Sequence, residues 1–207
     1  VILGSLAATK LRYNAEVFKI FLASIIPFFG WQFSIVINDI YDYEIDKITN
    51  KNRPLVKKII SKNDYKFVAL IIAFFALSFS AILSLKIFLL TILGLVLGVI
   101  YSIPPIRLRK YIVGNLIMGI SLVISFSIGF LIANDFRLLL HRKNLIFILL
   151  LFLFGTVITF TKDIKDIKSD SRYGVQNFYT ILGKEKGKRM VIILLFAVLN
   201  APALIVK

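Results

Sequence analysis

The chain has no cysteine, one histidine and only 11 acidic residues among 207. The lack of cysteine excludes disulfides, thiolate metal ligands and a cysteine nucleophile. The single histidine, His141, stands beside Arg142 and Lys143, which favours an interfacial position over a role as base or metal ligand. The acids are outnumbered by 26 lysines and arginines, giving a formal net charge of +15. Carboxylate chemistry, if present, must therefore rest on few residues.

Apolar residues dominate the composition. They make up 58% of the chain, and the mean hydropathy is +0.87, whereas soluble domains are about 45–50% apolar. We therefore predict an all-α, polytopic transmembrane helical bundle, with a tight turn at Lys86. Six stretches match the thickness of a bilayer core: 16–37, 67–85, 87–103, 112–133, 144–161 and 190–206.

The two ends of the chain look abrupt. The opening "VILGSLAAT" resembles the second half of an apolar segment, and Lys207 directly follows an apolar run. We expect one membrane-embedded domain, residues 1–207, that is incomplete at both ends.

The basic residues gather in particular loops. Lysine and arginine number 7, 3 and 8 in 38–66, 101–111 and 162–190, against 8 in the rest of the chain. By the positive-inside rule these loops face the cytoplasm. Because the basic residues lie between apolar spans, lipid headgroups and anionic substrates are better partners than nucleic acid.

Seven of the 11 acids fall in two stretches, "NDIYDYEID" and "DIKDIKSD". Both have i, i+3, i+7 spacing, which at about 100° per residue puts three carboxylates within about 60° on one helix face. Such a face repels itself unless a cation binds it. The two triads are Asp39, Asp42 and Asp46, and Asp163, Asp166 and Asp170.

Clustered carboxylates next to apolar spans usually mark an ion or substrate site. Hard oxygen ligands select Mg²⁺ or Ca²⁺, and Mg²⁺ is typically bound by one or two carboxylates plus phosphate oxygens. Two facing triads are predicted to hold Mg²⁺ ions that clamp a diphosphate as its carbon–oxygen bond breaks. An apolar bundle would store the tail of an allylic lipid diphosphate and shield the resulting carbocation from water.

Other polar residues near the triads are candidates for substrate binding, by an amide oxygen, a phenol or a cationic group. Alternatively, the asparagine is a helix-end amide, the tyrosine belongs to an aromatic belt and the cations are topology anchors. The candidates are Asn38, Arg53, Tyr101, Arg107, Arg109 and Lys110.

The acids also allow other interpretations. Either cluster alone is compatible with a helix cap or with a solvated face paired with lysines. A cation transporter or channel would use the acids as an ion site near the middle of the bilayer, and the position of the triads at span ends disfavours it. A structural membrane subunit would leave the repeated spacing accidental.

At these residues the chain resembles the UbiA superfamily of intramembrane prenyltransferases. Both acidic motifs match, as do "NKNRP" after the first, "YSIPPIRLRK" with the following Gly114 and Asn115, and "GVQNFYTILG" after the second. The resemblance implies nine transmembrane helices around a central cavity, of which this chain would hold helices two to seven. It also implies Mg²⁺ bound by the two Asp motifs, transfer of a prenyl group from its diphosphate, and diphosphate contacts from Tyr101 and Arg107.

Within the superfamily the acidic motifs are most similar to those of archaeal digeranylgeranylglyceryl phosphate synthases. This similarity implies transfer of a geranylgeranyl group to geranylgeranylglyceryl phosphate, an ether-lipid precursor. An aromatic quinone precursor or a tetrapyrrole is the alternative acceptor. The chain departs from the family in "RPLVKKIISKND", where members usually continue "RP(I/L)PSG", and in Ser169, where glycine is common. These departures concern the acceptor rather than the metal site.

Overall fold

The computed structural model describes residues 15–133, 135–164 and 167–205, with backbone alone for 15, 16, 133, 168, 169 and 202–205. These residues are largely helical, and among them the only β-type pairing is an isolated parallel bridge between Tyr111 and Gln176. A 3₁₀ turn covers Leu108–Lys110. The α-helices are α1 (Ala15–Tyr41), α2 (Tyr43–Thr49), α3 (Lys62–Leu83), α4 (Leu85–Ser102), α5 (Gly114–Ala133), α6 (Phe136–Leu139), α7 (Arg142–Asp163), α8 (Ile167–Arg172), α9 (Phe178–Leu182) and α10 (Lys184–Ile205).

Five helices, α1, α3, α4, α5 and α7, are long and apolar enough to cross a membrane. Large apolar side chains are widely exposed along them, for example Trp31 at 69% and Leu70 at 68%, as expected where lipid rather than water is the solvent. The predicted all-α, polytopic fold is confirmed. The predicted sixth span, 190–206, falls on α10 except for residue 206, which lies outside the described residues, and it stays a prediction.

The turn between the second and third spans lies at Ser84, so its predicted position at Lys86 was wrong. Ser84 has extended backbone (φ −174°, ψ 158°), and its hydroxyl accepts a hydrogen bond from the Ile87 amide. A serine that caps a helix N-terminus satisfies an amide left without an intrahelical partner. Lys86 therefore belongs to the first turn of α4, where its ammonium lies 2.8 Å from Asp135 Oδ1.

The described residues form two compact units. The first comprises residues up to 106 together with 124–141. Its core includes Phe33, Ala69 and Leu95, one from each of α1, α3 and α4. Gly98 lets α4 approach α1 closely, because a Cβ there would lie 2.5 Å from Ser34 Oγ. This packing supports the end of α1 that carries the first acidic motif.

The second unit comprises 107–123 and the residues from 142 onward. Its core gathers Val157, Phe160, Phe178, Tyr179 and Val191 from α7, α9 and α10. The rings of Phe160 and Phe178 stack with centroids 4.6 Å apart. The short helix α9 is thereby fixed against α7, whose last residue begins the second acidic motif.

Candidate functional site

The first acidic triad lies at a break between two helices. Helix α1 ends at Tyr41, Asp42 precedes α2, and Asp46 lies inside α2. The prediction that the three acids share one continuous helix face was therefore wrong in detail. Hydrogen bonds from the Asp42 amide to the Asn38 carbonyl and from the Asp46 amide to the Asp42 carbonyl, both 2.8 Å, nevertheless keep the helical spacing of the acids.

All three carboxylates of this triad belong to buried residues, with Asp39 and Asp42 each 3% exposed and Asp46 8%. Arg53 reaches two of them from the loop after α2. Its Nη1 lies 3.0 Å from Asp39 Oδ1 and donates a 3.2 Å hydrogen bond to Oδ2, while its Nε lies 3.9 Å from Asp46 Oδ2. A buried carboxylate needs such a partner to stay ionised. Arg53 thus contacts acids of the first triad, while its predicted binding of diphosphate oxygens stays a prediction.

Asn38 contacts the same triad through its side-chain amide. The Asn38 Nδ2 donates a 2.8 Å hydrogen bond to Asp42 Oδ2, so this asparagine orients a carboxylate. Glu44, the fourth acid of the stretch, is exposed and pairs with Lys47 at 3.0 Å, one turn along α2. The stretch therefore separates into three buried acids and one solvated acid, which makes Glu44 a natural control.

The second triad is only partly described. Asp163 is the last residue of α7 and Asp170 lies in α8, so these two acids are on different helices rather than one continuous face. Both are half-buried. The predicted metal ligand Asp166 lies outside the described residues.

An asparagine orients Asp163. The Nδ2 of Asn115, in the first turn of α5, donates to Asp163 Oδ2 at 3.0 Å and lies 2.9 Å from Thr159 Oγ1. The close approach of α5 to α7 depends on Gly119, where a Cβ would lie 2.5 Å from the Phe152 carbonyl oxygen. A small residue in α5 thus lets the amide reach the carboxylate.

A second asparagine orients Asp170. Asn177 Nδ2 donates to Asp170 Oδ2 at 2.6 Å. Its Oδ1 accepts from the amides of Tyr179 and Thr180, at 2.9 and 2.8 Å, at the start of α9. One side chain therefore caps a helix and holds an acid. Burial, and then the charge of Asp163, raise the pKa of Tyr179.

The predicted cationic group lies in the same unit as the second triad. Arg107, Arg109 and Lys110 are half-buried, and burial lowers the pKa of Arg107, although a guanidinium stays protonated at neutral pH. The Lys110 carbonyl accepts a 2.7 Å hydrogen bond from the Gln176 amide, which ties this loop to the one after α8. Tyr101, also half-buried, lies in the last turn of α4 and belongs to the first unit.

The donor set suits a hard divalent cation. No cluster of three acids or histidines close enough to hold a metal by itself occurs among the described residues. Among those residues Asp39 Oδ1 is buried with the ion pair to Arg53 but without a well-aligned hydrogen bond, and Arg53 Nε is buried without an acceptor in hydrogen-bond range. The carboxylate oxygen can also bind a cation, and the guanidinium N–H can donate to a phosphate oxygen.

Two partners of the acids, Asn115 and Asn177, had no predicted role. Asn115 belongs to the "GN" pair, which contributes only to the resemblance to the UbiA superfamily. Asn177 does carry a local signal, because Asn-x-x-Thr before an apolar run is a helix-capping pattern. Its contact with Asp170 carries no such signal.

A helical membrane protein with buried carboxylates at the end of an apolar span is the class that this fold and site define. A sequence profile described as the UbiA prenyltransferase family matches residues 1–206. The chain therefore belongs to the UbiA prenyltransferase family, and it is an integral membrane protein.

Curated relatives show related activities. Digeranylgeranylglyceryl phosphate synthase from Methanosphaera stadtmanae is 33% identical over 184 residues, covering 88% of this chain and 63% of the relative. A probable chloroplastic homogentisate phytyltransferase 2 from Oryza sativa subsp. japonica is 30% identical over 175 residues, covering 81% and 46%. The chain thus spans about half to two thirds of the length of these relatives.

Solved structures share the fold. A UbiA homologue from Archaeoglobus fulgidus, bound to DMAPP and Mg²⁺, superposes with a TM-score of 0.75 at 19% identity, covering 93% of this chain and 67% of that one. A digeranylgeranylglyceryl phosphate synthase structure gives 0.72 at 23% identity, covering 99% and 71%. At these identities the likeness concerns the fold alone.

Proposed function

We propose that this protein is a membrane-embedded, Mg²⁺-dependent prenyltransferase that moves a geranylgeranyl group from its diphosphate to a lipid acceptor. The observation that carries the proposal is the burial of Asp39, Asp42 and Asp46 together with Arg53 at the end of an apolar helix. Uncompensated carboxylates in such a place are unfavourable. A site for a metal and a diphosphate accounts for both the acids and the cation.

Each residue has a distinct part in this proposal. The six acids, Asp166 among them, would hold Mg²⁺, which when bound would neutralise the charge that develops on the diphosphate. Arg53 would orient Asp39 and offer its Nε to a phosphate oxygen. Asn38 would set the direction of Asp42. Tyr101, Arg107, Arg109 and Lys110 would supply further diphosphate contacts.

The proposal also takes the chain as a single domain, residues 1–207, with the acids on the cytoplasmic side of the cell membrane. The excess of lysine and arginine in the loops that hold both motifs supports that side. The family's named relatives and the DMAPP-bound and Mg²⁺-bound homologue support the donor and the metal.

For the acceptor we propose geranylgeranylglyceryl phosphate, whose hydroxyl would be alkylated in archaeal ether-lipid synthesis. Relatives named digeranylgeranylglyceryl phosphate synthase support it, including one from Saccharolobus solfataricus that is 34% identical over 165 residues. An aromatic quinone precursor or a tetrapyrrole is the second candidate. The similarity to a homogentisate phytyltransferase favours an aromatic acceptor within that alternative.

The test is a transfer assay with geranylgeranyl diphosphate, Mg²⁺ and a panel of ether-lipid and aromatic acceptors, followed by mass spectrometry. We expect Asp42→Asn and Asp163→Asn each to lower turnover by about 100-fold or more. Glu44→Gln, which removes the exposed acid of the same stretch, should leave turnover unchanged. Full turnover in both aspartate variants would rule the proposal out, and the product masses identify the acceptor.

A further inference from the structure

The loop after the first acidic triad has a fixed base and a projecting tip. We call residues 53–61 the basic turn and residues 57–59 its tip. At its base Arg53 contacts Asp39 and Leu55 is 3% exposed. The base is therefore anchored beside the candidate site. The Arg53–Asp39 contact and the burial of Leu55 give no role to the residues of the tip.

The tip has the backbone of a glycine-type helix end, with lysine at the glycine position. The Ile59 amide donates to the Pro54 carbonyl at 3.0 Å and the Lys58 amide to the Leu55 carbonyl at 3.2 Å, which is the Schellman hydrogen-bond pattern. Lys58 takes the left-handed position, with φ +57°, where glycine meets no steric cost. A lysine at this position therefore carries a steric cost that glycine would not.

The side chains of the tip face outward. Lys57 and Lys58 are exposed, and no ion pair to either is recorded among the described residues, whereas Lys47 and Lys62 both lie over the Tyr43 ring. Ile59 is 74% exposed, more than any other large apolar residue in the described part of the chain. The tip thus combines two available cations with an unusually exposed apolar side chain.

The tip also lies close to a membrane boundary. Helix α3, one of the membrane-length helices, begins at Lys62, three residues after Ile59. Lysines beside exposed isoleucine at the end of a span suit the headgroup region, where apolar groups enter the interface and cations meet phosphates.

We propose that the tip of the basic turn docks onto anionic membrane lipids, with Lys57 and Lys58 binding headgroup phosphates and Ile59 entering the interface. Charge complementarity is the reason for choosing an anionic lipid surface as the partner. This inference rests on the membrane location of the chain and not on the proposed prenyl transfer.

The absence of cysteine makes a direct test possible. The Ile59→Cys variant is labelled with a nitroxide and reconstituted into phosphatidylcholine vesicles, with or without an equal amount of phosphatidylglycerol. The label's accessibility to oxygen and to a water-soluble nickel chelate reports its depth. We expect a buried label with phosphatidylglycerol and a shallower one without it. Neutralising either lysine with glutamine should lower the docked-to-undocked ratio about fivefold.

Matched variants separate charge from backbone. Lys58→Gly keeps the turn and should lower docking as Lys58→Gln does, Lys58→Arg should preserve docking, and Lys51→Gln, in the same loop but outside the tip, should have little effect. The proposal is overturned if the label stays in water in both lipids, or if substitution of neither tip lysine changes the depth of the label. It is also overturned if the lysine variants raise only the KM for a phosphate-bearing acceptor, because the lysines would then bind acceptor rather than membrane.

Discussion

The two acidic motifs have the same spacing but different surroundings. In the first, a guanidinium lies beside two of the three buried acids, with Arg53 Nη1 3.0 Å from Asp39 Oδ1 and Nε 3.9 Å from Asp46 Oδ2. In the second, the two described acids are half-buried and each accepts an amide N–H, Asp163 from Asn115 and Asp170 from Asn177. A charged partner stabilises the ionised form directly, whereas an amide mainly orients the carboxylate. We therefore expect the first motif to need its cation for folding and the second to need its asparagines for geometry.

Removing Arg53 should have the largest effect on stability. Arg53→Met leaves Asp39 buried without its cation, and such a loss costs about 3–5 kcal/mol in a fully buried pair. Because the Arg53 side chain is 35% exposed, we expect about 2–3 kcal/mol, measured by thermal unfolding in detergent. Arg53→Lys should recover part of this stability, since lysine keeps the charge but lacks the planar guanidinium that can donate two parallel hydrogen bonds. Unchanged unfolding in Arg53→Met would show that the first motif does not depend on its cation.

A methyl group at Gly119 should disturb the second motif through packing. In Gly119→Ala the new Cβ would lie 2.5 Å from the Phe152 carbonyl oxygen, so α5 must move away from α7, at about 1–3 kcal/mol. The same shift would draw Asn115 from Asp163 and lower turnover. Gly94→Ala is the control, because its Cβ would meet Ile124 Cγ2 at an ordinary 3.9 Å. Equal melting temperatures for the two variants would contradict the close packing.

Asn177 combines two roles that substitutions can separate. Asn177→Ala removes the helix cap and the amide donor to Asp170, and we expect a loss of about 1–2 kcal/mol together with lower turnover. Asn177→Ser keeps a capping oxygen without the amide. It should recover most of the stability but not the activity, as seen by parallel unfolding and transfer assays. Recovery of both by serine would mean that the contact with Asp170 has no catalytic consequence.

The exposed pair of Lys86 and Asp135 should show the smallest effect. The hydrogen bond from Lys86 lowers the pKa of Asp135. The stabilisation is therefore present above the unfolded-state pKa of aspartate and is lost as the pH falls through the lowered folded-state value. Lys86→Gln should reduce this small acid-side pH dependence of unfolding and change stability far less than Arg53→Met. An equal loss in the two variants would mean that burial does not distinguish these ion pairs.

The parts of the molecule that were predictable follow from local pattern. Apolar stretches predicted the membrane-length helices, and the spacing of Asp39, Asp42 and Asp46 predicted a cluster that the structure places in buried positions. The helix break at Asp42 was not predictable from periodicity, because the acids keep helical spacing across it. The turn at Ser84 was not predicted, although serine is a common cap, because Lys86 is the charged residue nearest the boundary between the two spans.

The partners of the second motif were harder to predict. Asn115 is 48 residues from Asp163 along the chain, and their contact depends on how closely Gly119 lets two helices approach. A small residue inside an apolar span has many possible packing neighbours, so its partner cannot be identified from one sequence. The cap formed by Asn177 was available from local pattern, but its second contact was not.

The proposed function requires both acidic motifs for binding of the prenyl diphosphate. The most direct measurement is the affinity for unreactive geranylgeranyl thiolodiphosphate in Mg²⁺, compared among wild type, Asp42→Asn, Asp163→Asn and the double variant. We predict that each single change weakens binding about tenfold or more, and that the double variant binds no better than the weaker of the two single variants. Unchanged affinity in either single variant would contradict the requirement for both motifs.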